Sequence, residues 1–310
     1  MIPSEYLAGF MDGEGYLGLA RIRRRNRTSE YCLRVCIYNS NLAILKEIQR
    51  TVGGTMSDVG QRNPAWKPSY ALIWTNAAAA GVVRRVSPFL RIKSQQGAAL
   101  LAFNEHIRAG RRLRNRAGHL LPLSVREVKF REGIYRRLKR LNRKGPVGRR
   151  NREGPRVSIH QAKVSPKYVA GLLDAEGALM ITKTRVADCS SPSYRPRISL
   201  SNAHKGVLET IQRRYGGIIA NQAAPRAEWK HAYQLVWSEG TIESLLRSVQ
   251  VHLRVKRRQA MILNDFMRQR KTTEQGRNGF LFAPLPYNVL AFREGLRRQI
   301  KVLNKRGVLE

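Results

Sequence analysis

Leu17 and Leu19 recur with period two, and Arg21, Arg23 and Arg25 continue the same face up to a polar turn near residues 26–30. Tyr31 to Tyr38 alternates again, with Leu33, Val35 and Ile37 on one side and Arg34, Cys36 and Tyr38 on the other. Such alternation predicts two half-buried strands. Over residues 41–52 the spacing changes: Leu42, Leu45, Ile48 and Val52 form one helical stripe, which Gly53-Gly54 ends. Strand-like runs follow over 54–61 and 69–75, then helical stretches near 77–86, 94–108 and 127–142. The predicted fold class is α+β in the order αββαββα: a four-stranded antiparallel sheet with helices on one face and the other face open.

The pattern occurs twice. Tyr6-Leu7-Ala8-Gly9-Phe10-Met11-Asp12-Gly13-Glu14-Gly15 is echoed by Tyr168-Val169-Ala170-Gly171-Leu172-Leu173-Asp174-Ala175-Glu176-Gly177, an offset of 162. Asn39 falls on Asn202, Trp66 on Trp229, Trp74 on Trp237 and Lys93 on Lys256 at an offset of 163, and Phe130-Arg131-Glu132-Gly133 returns as Phe292-Arg293-Glu294-Gly295. A near-constant offset over this distance indicates a duplicated domain, not a short-period solenoid. Residues 1–148 and 167–310 are the expected domains, each long enough for its own core. The Gly-, Pro- and Arg-rich stretch 149–166 is the expected linker.

The 310 residues carry 58 Lys+Arg against 21 Asp+Glu, a net charge of +37, with 42% hydrophobic residues. A folded protein this basic implies a polyanionic partner. A membrane is not expected, because no window approaches 18 apolar residues and the amino terminus lacks a signal-peptide pattern. Cys32, Cys36 and Cys189 offer no disulfide framework, and no Cys or His spacing suits zinc. Candidate nucleic-acid contacts are Arg21, Arg23, Arg25, Arg34 and Tyr38 in the first half, and Lys183, Arg185, Arg197, Ser199 and Ser201 in the second. A strand of ten residues spans about 33 Å, close to ten base pairs, so two halves would cover roughly 20 base pairs of duplex. A basic sheet face also suits the major groove.

Against this charge, acids repeated within apolar sequence are informative. Asp12 and Glu14 fall at the carboxyl-terminal end of a helix begun by Pro3 and Ser4, with Gly13 and Gly15 as stop signals. The macrodipole disfavours negative charge there, so a cation is required: Arg or Lys, or a divalent ion held by carboxylate and carbonyl oxygen. Ala8-Gly9 and Ala170-Gly171 would let two helix backbones approach closely and bring Glu14 beside Glu176.

These paired segments resemble the LAGLIDADG motif, and nearly the whole chain resembles a single-chain, two-motif LAGLIDADG homing endonuclease. The resemblance implies a pseudo-twofold saddle on a long asymmetric DNA site and a monomeric enzyme that cuts both strands, leaving 3′ overhangs. It implies Mg²⁺ as cofactor, with Mn²⁺ as substitute and Ca²⁺ supporting binding without efficient cleavage. Glu14 and Glu176 would ligate metal together with the carbonyls of Gly13 and Ala175, while Asp12 and Asp174 would be structural. Lys93 and Lys256 would stand near the scissile phosphates, and Asn39 and Asn202 would orient water. Two further readings stay open: an intron maturase that binds its own intron RNA, and a catalytically inactive nucleic-acid-binding protein of the same fold. An intein origin is not expected, since neither Met1 nor Leu309-Glu310 supplies splicing residues. An intracellular, DNA-associated protein is expected, and the excess of Arg over Lys favours a bacterial or archaeal cytoplasm over an organelle.

Overall fold

The computed structural model describes residues 1–22, 29–61, 63–64, 66–110, 122–143, 164–185, 191–222, 231–274 and 285–305. Most of the expected linker, together with Arg23, Arg25, Cys189 and Trp229, lies outside them. The first half runs α1 (Ser4–Glu14), β1 (Gly15–Ile22), β2 (Glu30–Asn39), α2 (Leu42–Val52), β3 (Thr55–Gly60), β4 (Ser69–Thr75), α3 (Asn76–Val86), α4 (Ser94–Ala109) and α5 (Val125–Leu141). The second repeats it as α6 (Pro166–Glu176), β5 (Gly177–Thr184), β6 (Ser193–Asn202), α7 (Lys205–Tyr215), β7 (Ile218–Gln222), β8 (Ala232–Ser238), α8 (Gly240–Val249), a 3-10 turn at Gln250–His252, α9 (Arg257–Glu274) and α10 (Tyr287–Leu303). Each half holds a four-stranded antiparallel sheet, ordered β1-β2-β4-β3 and β5-β6-β8-β7. This is the α+β architecture that the alternation and the helical stripes imply.

Register decides which side chains face the helices. Leu17 pairs with Val35 and Leu19 with Leu33, and all four are buried in the core with Trp74. Leu179 pairs with Ile198 and Gly177 with Leu200 in the second sheet, beside Trp237. The opposite faces carry Tyr16, Arg34, Cys36 and Tyr38 in one sheet and Met180, Arg195, Arg197, Ser199 and Ser201 in the other, by the same registers. The sheets end at matched helix ties: the Asn142 amide donates to the Leu17 carbonyl at 2.7 Å, and Asn304 to Leu179 at 2.6 Å. Gly53 and Gly54 (φ 68° and 105°) and Gly216 and Gly217 (φ 67° and 94°) take the left-handed conformations that terminate α2 and α7.

The halves meet through α1 and α6, which lie parallel. Near their amino termini Lys167 sits 3.6 Å from Glu5. Midway, a Cβ at Gly9 would fall 2.1 Å from the Tyr168 carbonyl oxygen, and one at Gly171 would fall 2.1 Å from that of Tyr6. The backbones touch, so each glycine is needed for its missing side chain. Reciprocal bonds lock the pair: the Tyr6 hydroxyl donates to Asp174 Oδ2 at 2.7 Å, and Tyr168 to Asp12 Oδ2 at 2.7 Å.

Gly15 does not end α1 by adopting a left-handed conformation, as its place in the sequence suggests; its backbone is extended (φ −80°, ψ 148°) and leads straight into β1. A Cβ there would lie 2.6 Å from the Met11 carbonyl oxygen.

Gly9→Ala or Gly171→Ala must push the helix backbones apart. Each is expected to destabilise the protein by about 1–3 kcal/mol or more, read as a lower midpoint in urea unfolding. Wild-type midpoints in both variants would show that the helices do not touch.

Candidate active site and nucleic-acid face

Glu14 and Glu176 end α1 and α6 on the same side of the interface and open onto a cleft of about 1270 Å³. Tyr16, Arg34, Tyr38 and Lys93 line it from the first half, and Ser201, Asn202 and His204 from the second. Neither glutamate makes a hydrogen bond or ion pair with another described residue. Glu14 is half-buried; Glu176 reaches solvent more freely but is backed by the same interface. Burial, and then repulsion from Glu176, push the Glu14 carboxyl up to about 7, against the opposing fields of Lys256 and Lys93. Burial also raises Glu176, opposed by the same lysines.

The repeated aspartates do different work. Asp12 Oδ2 accepts from the backbone N–H groups of Arg91 (2.8 Å) and Ile92 (3.1 Å), and Oδ1 accepts from that of Lys93 (2.9 Å). Asp174 accepts from Arg254 (2.7 Å), Val255 (3.1 Å) and Lys256 (2.8 Å) in the same way. Each aspartate fixes the segment that carries the lysine. The Lys93 ammonium then donates to the carbonyls of Met11 (2.8 Å), Asp12 (2.7 Å) and Gly13 (3.3 Å), and Lys256 donates to that of Asp174. The cation demanded at the helix ends is therefore supplied first by lysine, in the favourable place for positive charge. Burial holds both lysines below the ordinary range, with the surrounding carboxylates pulling the other way.

Among the described residues no group of three or more His, Cys, Asp or Glu side chains converges. A divalent ion would have to use the two glutamates with backbone carbonyls, water and ligand oxygen. Two carboxylates without a partner among the described residues, next in sequence to the Gly13 and Ala175 carbonyls, form an all-oxygen donor set that fits Mg²⁺.

Asn39 and Asn202 both close turns at strand ends: Asn39 Oδ1 accepts from the Asn41 N–H at 2.8 Å, and Asn202 Oδ1 from that of His204 at 2.9 Å. Asn202 lines the cleft whereas Asn39 is not among its lining residues. Arg34 stands on the open face with its Nε 3.3 Å from Cys36 Sγ, next to Tyr38, which is 39% exposed. Arg197 occupies the matching place, donating to Gln234 Oε1 at 3.1 Å, and Gln234 in turn donates to Ser201 at 3.3 Å.

Three expected contacts are placed differently from the rest. Arg21 shares the helix-covered face with Leu17 and Leu19 and lies 3.7 Å from Glu132 on α5. Lys183 does the same with Glu294 on α10 at 3.0 Å, beside Tyr194, whose hydroxyl donates to Glu294 at 2.7 Å. Hydrogen bonds from Tyr194 and Lys183 depress the Glu294 carboxyl to about 2. These two basic residues fasten the strand tips to the last helices. Ser199 is on the open face but only 4% exposed, packed between neighbouring strands. Arg185 is exposed just past the end of β5. Two further residues stand on the open face. Arg195 is exposed and two places before Arg197, so the same alternation reaches it across Pro196. Tyr16, 38% exposed, lies over Gly18 beside Glu14.

No protein-family profile matches the chain, and no curated protein is similar to it in sequence. Solved structures are similar throughout its length. The LAGLIDADG homing endonuclease I-GzeII, in complex with its DNA target, superposes with a TM-score of 0.65 at 13% identity over 98% of this chain and 100% of that one. The LAGLIDADG meganuclease I-AabMI bound to uncleaved DNA gives 0.62 at 16% identity, over 96% and 98%. I-SmaMI bound to uncleaved DNA in the presence of calcium ions gives 0.63 at 11% identity, over 97% and 99%. With its two sheets, its paired motif helices and this end-to-end likeness, the chain has the fold of the single-chain LAGLIDADG homing endonucleases.

Proposed function

We propose that the chain is a site-specific DNA endonuclease of the homing type, acting as a monomer on a long asymmetric duplex and cutting both strands with divalent metal to leave 3′ overhangs. The observation that carries this reading is the pair Glu14 and Glu176: two carboxylates without a hydrogen-bond or ion-pair partner among the described residues, side by side at the floor of a cleft lined from both halves. The DNA complexes among the structural neighbours support duplex DNA as the ligand. Residues 1–148 would read one half-site and residues 167–310 the other, joined by the 149–166 linker.

Glu14 and Glu176, with the Gly13 and Ala175 carbonyls, would hold Mg²⁺ or Mn²⁺. When bound, such metal supplies activation of water and stabilisation of the leaving oxygen. The chain's own contribution is placement: Asp12 and Asp174 fix the lysine segments, and Lys93 and Lys256 keep the carboxylates in a positive surrounding. Asn39 and Asn202 spend Oδ1 on their turns, which leaves the amide N–H₂ groups as donors to water. Arg34, Tyr38, Arg195, Arg197 and Ser201 would meet the DNA.

The direct test is selection from a randomised plasmid library with Mg²⁺, followed by cleavage of the recovered site. Glu14→Gln or Glu176→Gln should retain duplex binding yet lose double-strand cleavage by on the order of 10²-fold or more, as when one preorganised electrostatic group is removed. Undiminished cleavage by the doubly substituted protein, or by wild type in excess chelator, would sink the metal-nuclease reading.

Metal-free stability tests the same site without DNA. A carboxyl raised to about 7 in the folded state binds more protons than the unfolded chain between the two values. Stability is therefore lost as pH rises from about 4.5 through about 7. In chelator at pH 8, Glu14→Gln should unfold at higher temperature than wild type, by on the order of 1 kcal/mol after solvent screening. Added Mg²⁺ should stabilise wild type and not the variant. Equal melting curves in chelator would mean that the Glu14 carboxylate is destabilised neither by burial nor by Glu176.

The reading face is tested by footprinting. Arg34→Ala should lose protection on one half-site and Arg197→Ala on the other, and wild-type affinity should fall by on the order of 10³-fold between 50 and 200 mM salt. Loss on the same half by both variants would refute the face assignment.

A further inference from the structure

The two motif helices are alike at every glycine that touches the partner backbone except one. Gly9 and Gly171 are equivalent and meet equivalent carbonyls, but Gly13 stands opposite Ala175. A Cβ built on Gly13 would lie 2.5 Å from the Ala175 Cβ, far inside contact distance, and 3.0 Å from Glu176 Cγ. The Ala175 Cα is 3.7 Å away, an ordinary contact. The helix ends thus have room for one methyl group, which Ala175 supplies, and the Glu176 side chain starts along the space beside Gly13. An alanine methyl cannot rotate aside, so a second one there would move a helix end, and each helix end carries a cleft glutamate.

We infer that Gly13 and Ala175 form a size-matched pair that sets the separation of the Glu14 and Glu176 side chains. They are positioning residues for the proposed cleavage, acting through the volume at Cα and not only through their carbonyls. The inference rests on the proposed function for its consequence, while the size match itself is a property of the fold. The asymmetry also makes a specific demand: the methyl can be moved from one helix to the other but not doubled.

The test compares Gly13→Ala, Ala175→Gly and the exchanged double variant. Three measurements are read: the urea unfolding midpoint, Mn²⁺ affinity from electron paramagnetic resonance, and kcat and KM on the plasmid site. Gly13→Ala should lower kcat by on the order of 10²-fold, the scale of an ångström misplacement, and weaken Mn²⁺ binding, with KM for DNA unchanged. The double variant should recover most of the loss in both, with a small shift of Glu176 Cγ. Ala175→Gly removes a methyl without a clash, so it keeps the test open if Gly13→Ala does not fold. It should lower kcat and Mn²⁺ affinity at unchanged KM.

Wild-type kcat and Mn²⁺ affinity in Gly13→Ala or Ala175→Gly, or a double variant no better than Gly13→Ala alone, would overturn the inference. If wild type neither binds Mn²⁺ nor cuts DNA, the proposed function fails and with it the positioning role. The size match is then judged from unfolding midpoints, where recovery in the double variant upholds it and continued loss refutes it.

Discussion

Contact between two helix backbones at Gly9 and Gly171 is the constraint on which the rest depends. Ordinary side chains keep helix axes 8–10 Å apart; here nothing separates the chains at the crossing. Close approach brings the hydroxyls of Tyr6 and Tyr168 within reach of the opposite half's aspartates, so each half completes the other's hydrogen bonds. Each aspartate is buried and already holds three backbone N–H groups, which makes loss of its tyrosine costly. The interface is thereby tied to the segments that carry Lys93 and Lys256, and through them to the ends of α1 and α6.

The same closeness creates the electrostatic character of the cleft. A carboxylate at a helix carboxyl terminus is disfavoured, two side by side more so. The lysines reduce this cost without removing it, because their ammonium groups bond the helix carbonyls instead of the glutamates. What remains, in a protein of net charge +37, is a pair of carboxyl groups that no described residue pairs with. A surface selected only for stability would pair them. Leaving them open is the kind of local cost that functional sites carry.

Much of this was legible in the sequence because it depends on local periodicity and on the register of a repeat. The α2 stripe, the strand pairs, the Gly-Gly turns and the matched motifs all announce themselves within a few residues. Arg21 and Lys183 carry two opposed signals. Their parity put them with Leu17 and Leu179 on the helix side, yet their charge argued for the ligand face; the deciding partners, Glu132 and Glu294, are more than a hundred residues away. The repeated Phe-Arg-Glu-Gly segment held that information, but only a fold could say what the glutamate touches. For Lys93, too, the repeat marked the residue and only the packing disclosed its bonds to the carbonyls of α1.

Comparison of the two halves separates what the fold requires from what it leaves free. On the helix side the character persists: Leu17 and Leu179, Leu19 and Ile181, Tyr31 and Tyr194, Val35 and Ile198, Trp74 and Trp237. Across the open face it does not, since Tyr16 corresponds to Ala178, Cys32 to Arg195, Tyr38 to Ser201 and Ala71 to Gln234. Arg34 and Arg197 are an identical pair there, and Ile73 with Val236 and Thr75 with Ser238 are similar ones. Packing against helices constrains one side of each strand, and a one-residue shift in parity moves a side chain out of that constraint. Were the ligand itself twofold symmetric, nothing in packing would drive the open faces apart while the buried faces stayed alike. Divergence greatest on the uncovered side is what the proposed long duplex asks for, its two halves differing in sequence but sharing a phosphate backbone, with the common arginine serving what is shared and its variable neighbours what is not.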